Sequence, residues 1–168
     1  SLFEGADRST FMHESGHFFL EVFKDIAAQE DAPQQIKADM DGLVEWFSAD
    51  PAKRREEGAK IARGAFRPVR SGSEWVVTSP LGHKRVFAKE AAAADYAAAE
   101  RAKLVQAVEA LTDTDIAALA DQFRTGLEGD VGSVFNTVFH EQYARGWELY
   151  LAEGRAPSEA MARRASGA

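Results

Sequence analysis

His13-Glu14-Ser15-Gly16-His17, inside the longer run Ser9-Thr10-Phe11-Met12-His13-Glu14-Ser15-Gly16-His17-Phe18-Phe19-Leu20-Glu21, decides how this chain is read. Residues four apart on an α-helix share a face, one turn above the other. His13 and His17 can therefore offer two imidazole nitrogens to one cation. Glu14 sits beside that face, where a carboxylate can take a proton from a water activated by the metal. Neutral imidazoles hold zinc without cancelling its charge. The metal brings the pKa of its water toward neutrality, and the carboxylate accepts the proton and passes it on. The bland account is a pair of core histidines satisfied by other partners.

The helical context supports the motif. Phe11, Phe18 and Val22, with Met12, Phe19, Phe23 and Ile26, recur at helical spacing and predict a buried amphipathic helix over about 9–29. Asp7, Ser9 or Thr10 can cap its start. Gly16 inside it serves close packing against a neighbouring helix, or leaves room for substrate or metal.

Composition narrows what else the chain can do. With 168 residues it can bury a sizeable core. It has no cysteine, which removes disulfides, thiolate metal sites and cysteine nucleophiles together. Any metal must rest on His, Asp or Glu, and the histidines are His13, His17, His83 and His140. Twenty Lys and Arg stand against 27 Asp and Glu, a net charge of −7, which argues against a nucleic-acid surface. No apolar run approaches the ~18 residues of a membrane span, so no membrane partner is expected, and the default compartment is the cytoplasm.

Further along, Pro33 opens a second helix over about 33–48, with Ile36, Met40, Leu43, Val44 and Phe47 as a core stripe. Asp50-Pro51 starts a third, over about 51–65, whose run Lys53-Arg54-Arg55-Glu56-Glu57 reads as a solvated face. Glu74–Thr78 and Lys84–Phe87 read as two strands of a hairpin, with Ser79–His83 as the turn and His83 as a solvated loop residue. An alanine-rich helix covers about 89–110, and Thr112-Asp113-Thr114-Asp115 caps another over about 114–124. Gly126, Gly129 and Gly132 mark a flexible crossing into the last helix, about 133–153, which Gly154 and Pro157 stop. The tail from Met161 is expected to fray.

That last helix carries the second constellation. Glu141, Arg145 and Glu148 share a face at i, i+4 and i+7. A catalytic zinc site takes three protein ligands and leaves a position for water. A Gly and a third His soon after the motif would complete a metzincin site, but those places hold Leu20 and Phe23. A carboxylate from a later helix is the usual alternative. Glu141 fits that role, with Arg145 or Glu148 to orient it. Glu148 and His140 remain rival ligands, and Glu21 a weaker one.

The paired motifs carry a resemblance. Residues 9–21 and His140 to Ser158 are similar to the opening and closing motifs of zincin-like metallopeptidase domains of the Glu-ligand (gluzincin) type. Such domains occur in large polyvalent proteins of phages and conjugative elements. Asp39, Leu43 and Trp46 also resemble that family's intermediate helix. The resemblance implies a mainly α (α+β) fold: a zincin-like helical core with a small β-hairpin insertion. The core would comprise 1–66 and 126–168, and the insert 67–125. It further implies a zinc-dependent endopeptidase acting on a protein or peptide. His13, His17 and Glu141 would hold Zn2+, and Glu14 would be general base and then general acid. Tyr143, Arg145, Tyr150 or His140 would stabilise the oxyanion. A phage or mobile element would deliver such a protein into a bacterial host cell. The alternatives are a non-catalytic module that keeps zinc as a strut, and a metal-free helical interaction module.

Overall fold

The computed structural model describes residues 6–153, with side chains described for 10–149. Among these the chain is mainly helical, as expected. Six helices, α1 (Ala6–Ala27), α2 (Gln34–Phe47), α3 (Pro51–Arg63), α4 (Glu90–Glu109), α5 (Asp113–Gln122) and α6 (Gly129–Glu153), accompany one antiparallel sheet of β1 (Pro68–Ser71), β2 (Glu74–Thr78) and β3 (Lys84–Phe87). No described helix is long and apolar enough to cross a membrane. The stop at Gly154 and the tail lie outside the described residues.

The chain falls into two compact units. The first comprises 1–50, 120–126 and 137–168. Its core is aromatic. Phe47 at the end of α2 stacks on Phe139 of α6 at 4.8 Å and meets Phe123 edge-on at 5.3 Å, and all three are fully buried. Met40, Leu43, Val44 and Phe47 are buried along α2, so its stripe is core as its spacing predicts, while Ile36 is half-buried. Buried Gln142 donates its amide to the Trp46 carbonyl at 3.3 Å, which fixes the rotation of α6 against the end of α2.

α1 departs from expectation. Its start lies upstream of Asp7, Ser9 and Thr10, so these are helical residues and not caps. Phe11 (58% exposed), Phe18 (64%) and Phe19 (45%), with Val22 and Ile26, face outward. Among the described side chains, the residues that α1 buries are Gly16 and Leu20. The reason is steric. A Cβ on Gly16 would stand 3.2 Å from the Ala144 Cα and 3.2 Å from the Trp147 Cβ, so α6 lies closest to the glycine side of α1 and meets the aromatic stripe at Phe19. Of the two accounts of Gly16, the close approach of a helix is the one seen.

The second unit comprises 51–119 and 127–136. α3 buries the small residues Gly58, Ala59 and Ala62, and a Cβ on Gly58 would stand 3.2 Å from Val108 Cγ1 of α4, itself buried. Small side chains at these positions let two backbones approach closely. The sheet has three strands where a two-stranded hairpin is expected: β1 pairs with β2 from Pro68↔Val77 to Ser71↔Glu74, and β2 with β3 from Trp75↔Phe87 to Thr78↔Lys84. Gly72, at φ 64°, turns the chain between β1 and β2. Val77 is the buried residue of the sheet, and Phe87 meets Tyr96 of α4 at 5.3 Å.

Two arginines correct the reading of α3 as a solvated face. Arg54 is buried and its Nε lies 3.0 Å from Glu57. Arg55 donates to the Leu111 carbonyl at 2.7 Å and to Asp113 at 2.6 Å, clamping the α4–α5 connection. Lys53 and Glu56 alone of that run's other residues are exposed, while Glu57 is half-buried. At the start of α5 the expected capping box is present: the Asp115 N–H donates to Thr112 Oγ1 at 3.1 Å, and the Thr112 N–H to Asp115 Oδ2 at 2.8 Å. α6 begins at Gly129 and not at Ser133. Gly132 is thus a buried helical residue, 3.1 Å at its Cβ position from the Leu127 carbonyl carbon, and not part of a flexible crossing. His83 is exposed in its turn, as expected.

Candidate metal centre

The first unit brings His13 and His17 of α1 together with Glu141 of α6. Their donor atoms lie within 4.8 Å of one another. His13 Nε2 is 2.9 Å from Glu141 Oε2, and His17 Nε2 is 3.4 Å from Glu141 Oε1. Ligand bonds of ~2.0–2.1 Å in a tetrahedron put donor atoms about 3.3 Å apart, so one imidazole–carboxylate separation is close to that spacing and the other slightly short. Two imidazoles and one carboxylate are also the nitrogen and oxygen donors that zinc accepts. Each residue of the set is half-buried.

α1 supplies its two imidazoles one turn apart because both lie on the side turned to α6. The close approach at Gly16 seats that side. Ser15 adds to the seating: its hydroxyl accepts the Trp147 indole N–H at 2.9 Å and donates to the Met12 carbonyl at 2.8 Å. Phe19 rests on the Trp147 ring at 4.9 Å.

The outer nitrogens of the two imidazoles are engaged as well. His13 Nδ1 lies 2.7 Å from Glu148 Oε1. His17 Nδ1 lies 3.0 Å from His140 Nδ1, and His140 Nε2 lies 2.6 Å from Glu21 Oε1. Glu148 thus orients His13, where the sequence offered it as a partner of Glu141 or as a rival ligand. His140 and Glu21, offered as rival ligands, stand behind His17. Nothing in residue spacing distinguishes a ligand from its support; that distinction needs the pairing of α1 with α6.

Electrostatics follow from these contacts. Burial works to lower the His13 pKa, but hydrogen bonds to the Glu148 and Glu141 carboxylates, with their charges, outweigh it and hold it above the ordinary histidine value. His140 goes the other way. Its burial pushes its pKa down, helped by His17 and Lys24, against the opposing pull of Glu21. Burial raises Tyr143.

Glu14 is exposed on α1, one residue from His13 and off the face that meets Glu141. Tyr143 and Arg145 are half-buried on α6, two and four residues beyond Glu141. The contacts that join the two histidines to Glu141 do not involve Tyr143. The Tyr150 side chain lies outside the described residues. The chain matches no protein-family model, no curated protein and no solved structure.

Proposed function

We propose that this chain is a zinc-dependent peptidase with a zincin-like core, in which His13, His17 and Glu141 hold the metal. The observation that carries the reading is the meeting of two Nε2 atoms with the two oxygens of one carboxylate, at 2.9 and 3.4 Å, from segments far apart in sequence. When bound, zinc supplies Lewis acidity toward the scissile carbonyl and makes water a nucleophile near neutral pH.

The chain's own residues supply the rest. Glu14, exposed beside His13, accepts the proton of the attacking water and delivers it to the departing amine nitrogen. Glu148 holds the His13 ring in place through Nδ1. Arg145, four residues beyond Glu141, and Tyr143, whose hydroxyl burial keeps protonated, are the candidates for stabilising the oxyanion.

The test has two stages. Purified protein is expected to hold about one zinc per chain, and His13→Ala with His17→Ala to lose it. Unchanged metal content in the double variant removes the reading. Glu14→Gln is expected to keep both zinc and fold while peptide hydrolysis falls at least ~10²-fold. Equal turnover of a cleavable substrate by both proteins excludes Glu14 as the base and, with it, this mechanism.

A further inference from the structure

His17 has no carboxylate of its own on Nδ1, as His13 has. It has an imidazole, and that imidazole has the carboxylate. We propose that Glu21 and His140 are positioning residues, a two-step relay that holds His17 as the Nδ1–H tautomer and leaves its Nε2 lone pair on the side of Glu141. The proposal's consequence for metal affinity rests on the zinc reading. The tautomer itself does not.

The directions follow from what each group can donate. An ionised carboxylate only accepts, so at 2.6 Å the proton between Glu21 Oε1 and His140 Nε2 belongs to the imidazole. A neutral imidazole that donates from one nitrogen accepts at the other. His140 Nδ1 is therefore the acceptor of the 3.0 Å contact, and His17 Nδ1 is the donor. A neutral His17 with its proton on Nδ1 has a bare Nε2, the atom 3.4 Å from Glu141 Oε1. On the other imidazole Glu148 does the same work in one step, at 2.7 Å.

The relay is built to keep its direction. His140 is buried, its ring beside that of His17 with centroids 5.1 Å apart and the planes inclined by 29°, and it is set edge-on to Phe123 at 5.7 Å. Its ring cannot turn over without displacing these neighbours. Glu21 sits one turn beyond His17 on α1, and Lys24 stands 3.8 Å from its other oxygen. Were the order reversed, with His140 donating to His17, the proton of His17 would sit on Nε2 and occupy the metal-facing position.

The test uses the whole chain in two states. Nitrogen-15 NMR of the metal-free protein reads which His17 nitrogen carries the proton. Nδ1–H is expected in the wild type, and a mixture or Nε2–H in Glu21→Ala. Zinc affinity by chelator competition is then expected to fall about 10–100-fold in Glu21→Ala and in His140→Phe, the second chosen to keep ring volume. Because Glu21 acts only through His140, the double variant is expected to bind no more weakly than His140→Phe alone. Glu148→Ala, on the other branch, should add its full effect to Glu21→Ala. An Nε2–H His17 in the metal-free wild type overturns the relay, as does full additivity of Glu21→Ala with His140→Phe. An Nδ1–H His17 that shifts in Glu21→Ala, in a protein that binds no zinc, upholds the relay and defeats the metal reading instead.

Discussion

Gly16→Ala tests whether the spacing of α1 and α6 sets the metal centre. The added Cβ would lie 3.2 Å from the Ala144 Cα, the Trp147 Cβ and the Trp147 Cδ1. Ordinary carbon contacts begin at about 3.5 Å, so each is short by about 0.3 Å. The indole carbon can swing away. The other two atoms are fixed to the α6 backbone, so relief requires the helices to part by a few tenths of an ångström. Overpacking of this kind costs ~1–3 kcal/mol, while replacing a helical Gly by Ala returns up to ~1 kcal/mol. The net expectation is a destabilisation of about 0–2 kcal/mol, small enough to leave the protein folded. The site should be less tolerant. Ligand distances are held to about ±0.2 Å in a working site, and the parting moves Glu141 away from both histidines by more than that. Zinc affinity should fall about tenfold, ~1.4 kcal/mol, even where stability barely changes. Urea unfolding in chelator measures the first quantity and chelator competition the second. Gly42→Ala is the control, because Gly42 is on the exposed side of α2 and its Cβ would meet nothing within 4 Å. It should stabilise by up to ~1 kcal/mol and leave zinc alone. Should Gly16→Ala behave like Gly42→Ala in both assays, the helices yield freely and the close approach does not set the site.

Glu141→Ala should weaken zinc binding beyond the ~10–100-fold typical of losing a group behind a ligand, and Glu148→Ala should stay within that range; the reverse order would make Glu148 the ligand. Thr112→Ala, which removes the side-chain acceptor for the Asp115 N–H, should destabilise by ~1 kcal/mol in denaturant unfolding, and no change would mean that the box is not holding the start of α5. Asp115 has a pKa held below the usual carboxylate range by its hydrogen bonds with the Thr112 backbone and side chain. Its contribution is therefore present above the ordinary aspartate value and lost as pH falls through the lower folded value. The difference in melting temperature between wild type and Asp115→Asn should close in acid, and a pH-independent difference would contradict this.

Features decided within a few residues were legible in the sequence. The Thr112–Asp115 box is one, and the Met40–Phe47 stripe of α2 is another. β1 leaves little trace in the sequence because four residues with three exposed side chains carry little alternation. The Ser71-Gly72-Ser73 turn was the available signal. Charge alone does not reveal the carbonyl at Leu111 that Arg55 reaches, more than fifty residues on.

The deeper failure concerns α1 and explains the part of the site that could not be read. Its apolar residues occupy so much of the helix surface that periodicity could not say which stripe is buried. The answer came from a glycine, which periodicity scores as nothing. Register between two helices has the same source. His13 and His17 define a face, and Glu141, Arg145 and Glu148 define another, but spacing alone permits several alignments. A slip of one turn, about 5.4 Å, would put Arg145 in the place of Glu141 and aim a guanidinium at both imidazoles. What selects the observed alignment is the contact of Gly16 with Ala144 and Trp147, the Trp147–Ser15 hydrogen bond and the hold of Gln142 on Trp46. Those three contacts involve none of the three donor residues. The composition of the candidate centre was therefore legible in the sequence, while its assembly was encoded in residues that carry no metal chemistry.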